Sequence, residues 1–193
     1  MTKSKAFFFI IVLFVTWHLF SVKEVKAGEP KGYSRTVVNY AVPDVTLVNQ
    51  DGKRVKLRSL LNSRKFVIVD FVFTTCTTIC PILSAEFADF QRSVGPDLNN
   101  VLLVSISIDP ENDTPKKMKE YLKRYGAMPG WDFLTGSHAD IDKVIKAFDA
   151  YVSDKMYHLP LAFLHSSADS RWVRIYGLVG TSEMLAEYRM LVR

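Results

Sequence analysis

The stretch FVIVDFVFTTCTTICP, residues 66–81, decides the fold. Its first eight residues are apolar, β-branched or aromatic apart from Asp70, the composition of a strand covered on both faces. Such a strand lies inside a sheet with one layer above and one below. Pro81 then stands where a helix can begin, and Leu83, Phe87 and Phe90 recur at helical spacing behind it. Further along, VLLVSISI at 101–108 is a second buried strand. It runs into Asp109, Pro110, Glu111, Asn112 and Asp113, after which Thr114 as cap and Pro115 in the first turn open a helix to about Tyr125, closed by Gly126. Residues 131–134 read as a short strand, and Ser137 with Asp140 caps a helix reaching about Tyr151. Residues 161–165 and 172–176 form a hairpin, and 181–192 a closing helix. On the amino-terminal side, 45–57 alternate around Asn49, Gln50, Asp51 and Gly52, a hairpin signal. This order predicts an α/β fold, a central mixed β-sheet flanked by helices on both faces, with an N-terminal β-hairpin.

The chain has 193 residues, 48% apolar and 23% charged, with 9 Gly, 8 Pro and 2 Cys. That length and balance suit one packed domain and exclude disordered, collagenous and repeat architectures. Two cysteines cannot staple a small scaffold or supply a four-cysteine metal site. Cys76 and Cys80 are so close in sequence that a bridge between them would stabilise the fold little. The pair calls for a chemical explanation.

Lys3 and Lys5 precede an apolar run over 6–22 that is broken only by Thr16, His18 and Ser21, the pattern of a secretory signal. Val25 and Ala27 suit a cut before Gly28, whereas the run itself nears the length of a spanning helix. The expected organisation is therefore 1–27 as signal peptide or membrane anchor, 28–43 as tether and 44–193 as the folded domain. Removing 1–27 lowers the formal charge from +5 to +2. No basic stripe with interleaved aromatics remains, so nucleic-acid binding is not expected. An exported, periplasmic domain, soluble or anchored by 6–22, sits in an oxidising space where a cysteine pair can be bridged, metallated or redox-active.

Cys76 follows the carboxyl end of a buried strand and Cys80 stands at a helix start, where ligand sites of open sheets gather and unpaired N–H groups favour a thiolate. Their spacing of four suggests both sulfurs on one side of a first helical turn. Two thiolates are soft donors for Cu(I), and an added imidazole also suits Cu(II). Of the four histidines, His18 lies in the leader and His138 at an exposed helix start. His158 and His165 flank one strand, too far apart for one ion. If that strand runs antiparallel to 66–73, its start meets the carboxyl end of the other, which selects His158. Met118, Met128 and Met156 form no constellation and read as filling, and Trp131 and Trp172 read as core.

The block from Phe71 to Pro81 (FVFTTCTTICP) resembles the SCO1/SenC family of thioredoxin-like copper proteins. So do the hairpin over 45–57 with its Asp51–Gly52 turn, the segment from Ser105 to Thr114 (SISIDPENDT), and His158 heading the strand that ends in Phe163 and Leu164. The resemblance runs from about Asp44 to the C-terminus. It implies a thioredoxin-like copper-binding domain that helps assemble the copper centre of cytochrome c oxidase. The implied partners are the oxidase's copper-bearing subunit, a copper donor and a thiol reductant, with the membrane as a further one if the leader is kept. It implies one copper, Cu(I) or Cu(II), held by Cys76, Cys80 and His158, and it matches Asp109 to an aspartate that can orient a ligand from behind. Where relatives commonly carry an acidic residue before the histidine and Ser or Thr after it, this chain has Tyr157 and Leu159. A second reading stays open, an exported thiol-disulfide oxidoreductase acting through Cys76 and Cys80, against which stands the C-x₃-C spacing. A thiol peroxidase dependent on Cys76 is a third.

Overall fold

The computed structural model describes residues 32–64 and 66–192; the expected leader lies outside them. Eight strands form one mixed sheet: β1 (Tyr33–Val38), β2 (Thr46–Asn49), β3 (Arg54–Lys56), β4 (Phe66–Val72), β5 (Val101–Ser107), β6 (Trp131–Thr135), β7 (Leu161–Ser166) and β8 (Trp172–Gly177). Their order is β1-β8-β7-β4-β5-β6-β2-β3. The helices are α1 (Leu57–Leu61), α2 (Cys80–Val94), α3 (Pro115–Arg124), α4 (His138–Ala147) and α5 (Thr181–Leu191). Among the described residues no helix is long and apolar enough to cross a membrane.

The expected central strand is β4. All seven of its residues are buried, it pairs parallel with β5 and antiparallel with β7, and its side chains alternate between two cores. Phe66, Ile68 and Val72 pack with Leu83, Phe87 and Phe90 of α2 and with Met118, Tyr121, Met184 and Tyr188 from α3 and α5. Val67, Val69 and Phe71 pack on the other face with Leu57 and Leu61 of α1, Ile141 and Val144 of α4, and Phe148. Each such side chain contributes about 1.5–3 kcal/mol by leaving water.

Four local outcomes depart from the sequence reading. Residues 33–38, inside the stretch expected to be a tether, form edge strand β1, registered on β8 from Tyr33↔Gly177 to Val38↔Trp172. Its middle residues are exposed, so the strand carries no alternation; it is held by ladder bonds and by Arg35, whose Nε lies 2.9 Å from Glu187 on α5. Helix α1 is only five residues long, too short to leave a periodic signal. Helix α4 stops at Ala147 and not near Tyr151. There Phe148 turns into the core, Asp149 takes φ +51°, and the Ala150 N–H donates back to the Ile145 carbonyl at 2.9 Å. A turn of 3-10 helix, Lys155–Tyr157, precedes β7. The caps of the two capped helices are as expected: Thr114 accepts from the Lys117 N–H and Ser137 from the Asp140 N–H.

Asp70 is the exception inside the sheet. It is 1% exposed, opposite Ser105 on β5 and Ala162 on β7, and neither oxygen makes a hydrogen bond among the described residues. Burial pushes its carboxyl up to about 7. The folded chain thus keeps a proton that the unfolded chain releases near 3.8, so this group stabilises fully below about pH 4 and the contribution is lost as pH rises through 7. Denaturant melts across that window are expected to lose on the order of 4 kcal/mol through this group. Asp70→Asn should flatten the profile there; a slope that survives in the variant would contradict the assignment.

Candidate metal centre

The site forms where β4 ends. Val72 is followed by a turn in which the Cys76 N–H donates to the Phe73 carbonyl at 3.1 Å, and α2 begins at Cys80 with Pro81 in its first turn. The expectation that both cysteines share a helical turn is therefore corrected. Only Cys80 belongs to α2, because Pro81 fixes the helix start, and Cys76 lies in the loop before it. The N-cap residue Ile79 makes no side-chain cap bond. In its place the Cys80 N–H donates to Cys76 Sγ at 3.4 Å, so that sulfur caps the helix where the dipole favours negative charge.

β7 runs antiparallel to β4, from Phe66↔Ser166 to Asp70↔Ala162. The residues just before Leu161 therefore lie beside the carboxyl end of β4, and His158 Nε2 comes to 3.2 Å from Cys80 Sγ. One donor atom from each of Cys76, Cys80 and His158 falls within 4.8 Å of the other two, and all three residues are buried. The remaining histidines sit elsewhere. His165 pairs with Val67 at the far end of β4 and stacks on the Trp172 ring, centroids 4.6 Å apart. His138 lies exposed on α4, 3.8 Å from Asp142. His18 is outside the described residues.

The three donors differ in acidity. Burial raises the Cys76 thiol, but hydrogen bonds from Cys80 and Thr78 outweigh it and hold its pKa below the ordinary cysteine value. Burial, foremost, drives Cys80 far above it, with the Cys76 sulfur adding to the rise. Burial also lowers His158, so its imidazole is neutral at neutral pH. Its Nδ1 lies 2.9 Å from the Lys155 carbonyl, which can only accept, so the ring's proton is on Nδ1 and the Nε2 lone pair faces the sulfurs.

Asp109 is buried at 5% exposure but does not join the three donors. It accepts from Lys155 Nζ at 2.6 Å and from Asn112 Nδ2 at 2.9 Å. The Lys155 ammonium also lies 5.5 Å from the centre of the Phe73 ring, and that ring packs edge-on to His158, centroids 5.4 Å apart. Lys155 thus ties Asp109 to the histidine loop by its charge at one end and its carbonyl at the other. A cleft of about 440 Å³ lined by Asp109, Glu111, His138, Asp142 and Lys155 opens beside this pair, and none of the three donors lines it. Lys155 and Asp113, which bonds Thr74, were not singled out from the sequence. A lysine in a polar loop and an aspartate in a turn look solvated until the fold buries their partners.

The arrangement supports two chemistries: closure of a disulfide between Cys76 and Cys80, and capture of one soft ion by two sulfurs and an imidazole. A sequence profile of the SCO1/SenC family matches residues 38–188. The SCO1 protein homolog of Bacillus subtilis is 42% identical over 118 residues, 60% of this chain and 60% of that protein. The mitochondrial SCO1 homolog 1 of Arabidopsis thaliana is 32% identical over 143 residues, 68% of this chain and 41% of its own. The chain thus spans about half the length of the curated relatives it matches. Among solved structures, BsSco, described as a cytochrome c oxidase assembly protein with a disulfide switch, covers 81% of this chain and 96% of its own at 32% identity and a TM-score of 0.68. Copper-bound ScoI of Bradyrhizobium japonicum covers 78% of this chain and 99% of its own at 31% identity and a TM-score of 0.64. The fold shared with these structures is thioredoxin-like.

The split in thiol acidity is open to direct measurement. Alkylation of the reduced protein should occur at Cys76, with a pH midpoint below that of an ordinary thiol, and leave Cys80 untouched at neutral pH. Mass mapping of the modified peptide checks it; equal labelling of both residues would contradict the geometry.

Proposed function

The chain belongs to the SCO1/SenC family, and on that footing we propose that it is a copper-binding assembly factor for the copper centre of cytochrome c oxidase. It holds one copper per chain through Cys76, Cys80 and His158. The observation that carries this reading is the convergence of two buried sulfurs and one imidazole nitrogen within 4.8 Å. Two thiolates with a neutral imidazole match Cu(I), and the imidazole extends the match to Cu(II). Asp109, through Lys155, positions His158 in this scheme.

Loading requires the reduced pair, because a disulfide leaves no thiolate to bind. Cys76, the more acidic thiol, would meet the ion first, Cys80 would bind with loss of its thiol proton to solvent, and His158 would supply its free Nε2. A set of three protein donors leaves room for an incoming ligand, so the ion can pass to a receiving protein by ligand exchange. The receiver in this proposal is the copper-bearing subunit of the oxidase; a copper donor and a thiol reductant act before it. The binding domain takes in β1 at 33–38 as well as the stretch from 44 onward; in this proposal it is exported and periplasmic, with 1–27 as signal peptide or anchor.

A second reading, thiol-disulfide exchange through Cys76 and Cys80, is favoured by the acidity split, since an acidic thiol beside a buried partner is the arrangement such exchange uses. Competitive Cu(I) titration separates the two. Reduced protein is expected to bind one copper, Cys76→Ser and Cys80→Ser to lose the site, and His158→Ala to bind at least about tenfold more weakly. No binding by the reduced wild type would overturn the proposal. Full disulfide-exchange activity in His158→Ala, with copper binding absent from every form, would establish the second reading.

A further inference from the structure

The loop that carries Cys76 is held by packing at Cys76 and Ile79, which lie against the core, and its threonines are otherwise largely exposed. Residues 74–79 are four threonines, Cys76 and Ile79, with no proline to stiffen the backbone, and Thr75, Thr77 and Thr78 are exposed. The loop's polar tie to another element is made by Asp113. Asp113, 0% exposed, takes the Thr74 N–H on both carboxylate oxygens, at 3.2 and 3.3 Å, and the Thr74 hydroxyl at 2.5 Å. Its other side takes the Ser107 hydroxyl at 2.6 Å, and Ser107 in turn accepts the Asp109 N–H at 3.0 Å. Every group that reaches this carboxylate is a donor, and no lysine or arginine pairs with it among the described residues. The carboxylate itself is anchored, because the Asp113 N–H donates to the Asp109 carbonyl at 2.9 Å and the next residue, Thr114, caps α3.

We propose that Asp113 is the positioning residue for Cys76: by clamping Thr74 to the end of β5 it sets the reach of the Cys76 sulfur toward Cys80 and His158. The segment 109–113 then serves the site with two separate arms. Asp109 holds the histidine loop through Lys155, Asp113 holds the cysteine loop through Thr74, and neither belongs to the three-donor cluster. The copper half of this inference rests on the proposed function; the disulfide half does not. Two thiols held at a fixed separation close more readily than two on a loose loop, so the clamp favours the Cys76–Cys80 disulfide as well as metal capture.

The test uses the purified full chain with three readouts: the disulfide equilibrium against glutathione, Cu(I) affinity by competition, and the thermal midpoint. Asp113→Asn puts an amide N–H among groups that already donate and must lose at least one bond. It is expected to form the disulfide about tenfold less favourably, about 30 mV less negative in potential, and to bind Cu(I) at least about tenfold more weakly. Thr74→Val should shift both in the same direction by less, and Thr74→Ser should behave as wild type. Asp109→Asn should shift the disulfide equilibrium by less than Asp113→Asn does, since its arm reaches Cys80 only through Lys155 and His158. A folded Asp113→Asn with a wild-type disulfide equilibrium would overturn the inference. If that variant does not fold, an unchanged equilibrium in Thr74→Val overturns it instead. An equal disulfide shift in Asp109→Asn would overturn the separation of the arms. A wild type that binds no copper would remove the proposed function, while the disulfide equilibria still decide the role of Asp113.

Discussion

The antiparallel pairing of β7 with β4 is the contact on which the site depends. A one-residue slip in that ladder would turn every β7 side chain to the opposite face. Leu161 and Phe163 would then leave one core, and Ala162 and Leu164 the other. Because both faces are buried, the register is strongly specified, and with it the place where the chain enters β7. His158 Nε2 therefore stands 3.2 Å from Cys80 Sγ although 78 residues separate them. Hydrophobic burial thus delivers a donor whose own chemistry adds little to folding.

Polar groups then refine what the core has placed. The Cys80 N–H on Cys76 Sγ favours the thiolate, and the Lys155 carbonyl on His158 Nδ1 fixes the tautomer that leaves Nε2 free. Two buried carboxylates hold the loops that bear them. Ions and unpaired dipoles are costly in such surroundings, and Asp109 and Asp113 are tolerated because each is fully engaged, by Lys155 and Asn112 in one case and by Thr74 and Ser107 in the other. Asp70, which has no such partners, keeps its proton instead.

The parts legible in the sequence were those with strong local signals. The continuous apolar run of β4, the similar run of β5, the Asn-Gln-Asp-Gly hairpin turn and the Thr114–Pro115 cap all announce themselves. The choice of His158 over His165 followed from strand direction alone. What stayed hidden depends on distant partners. β1 is polar because it is an edge strand, and its identity comes from β8 and from Glu187 on α5. Cys76 lies before the helix because Pro81 fixes its start, and the sulfur then takes the capping position that no side-chain oxygen fills. Lys155 and Asp113 carry no local pattern, since their roles exist only once β4, β5 and the loop before β7 are assembled.

The central claim is that Cys76, Cys80 and His158 bind one copper together, with the imidazole joining through Nε2. X-ray absorption on the copper-loaded, reduced protein, beside the same measurement on His158→Ala, tests it most directly. The account predicts two sulfur scatterers and one imidazole nitrogen at a single copper, with the nitrogen lost in the variant. A copper held by sulfur alone in the wild type, or an imidazole signal that persists without His158, would contradict it.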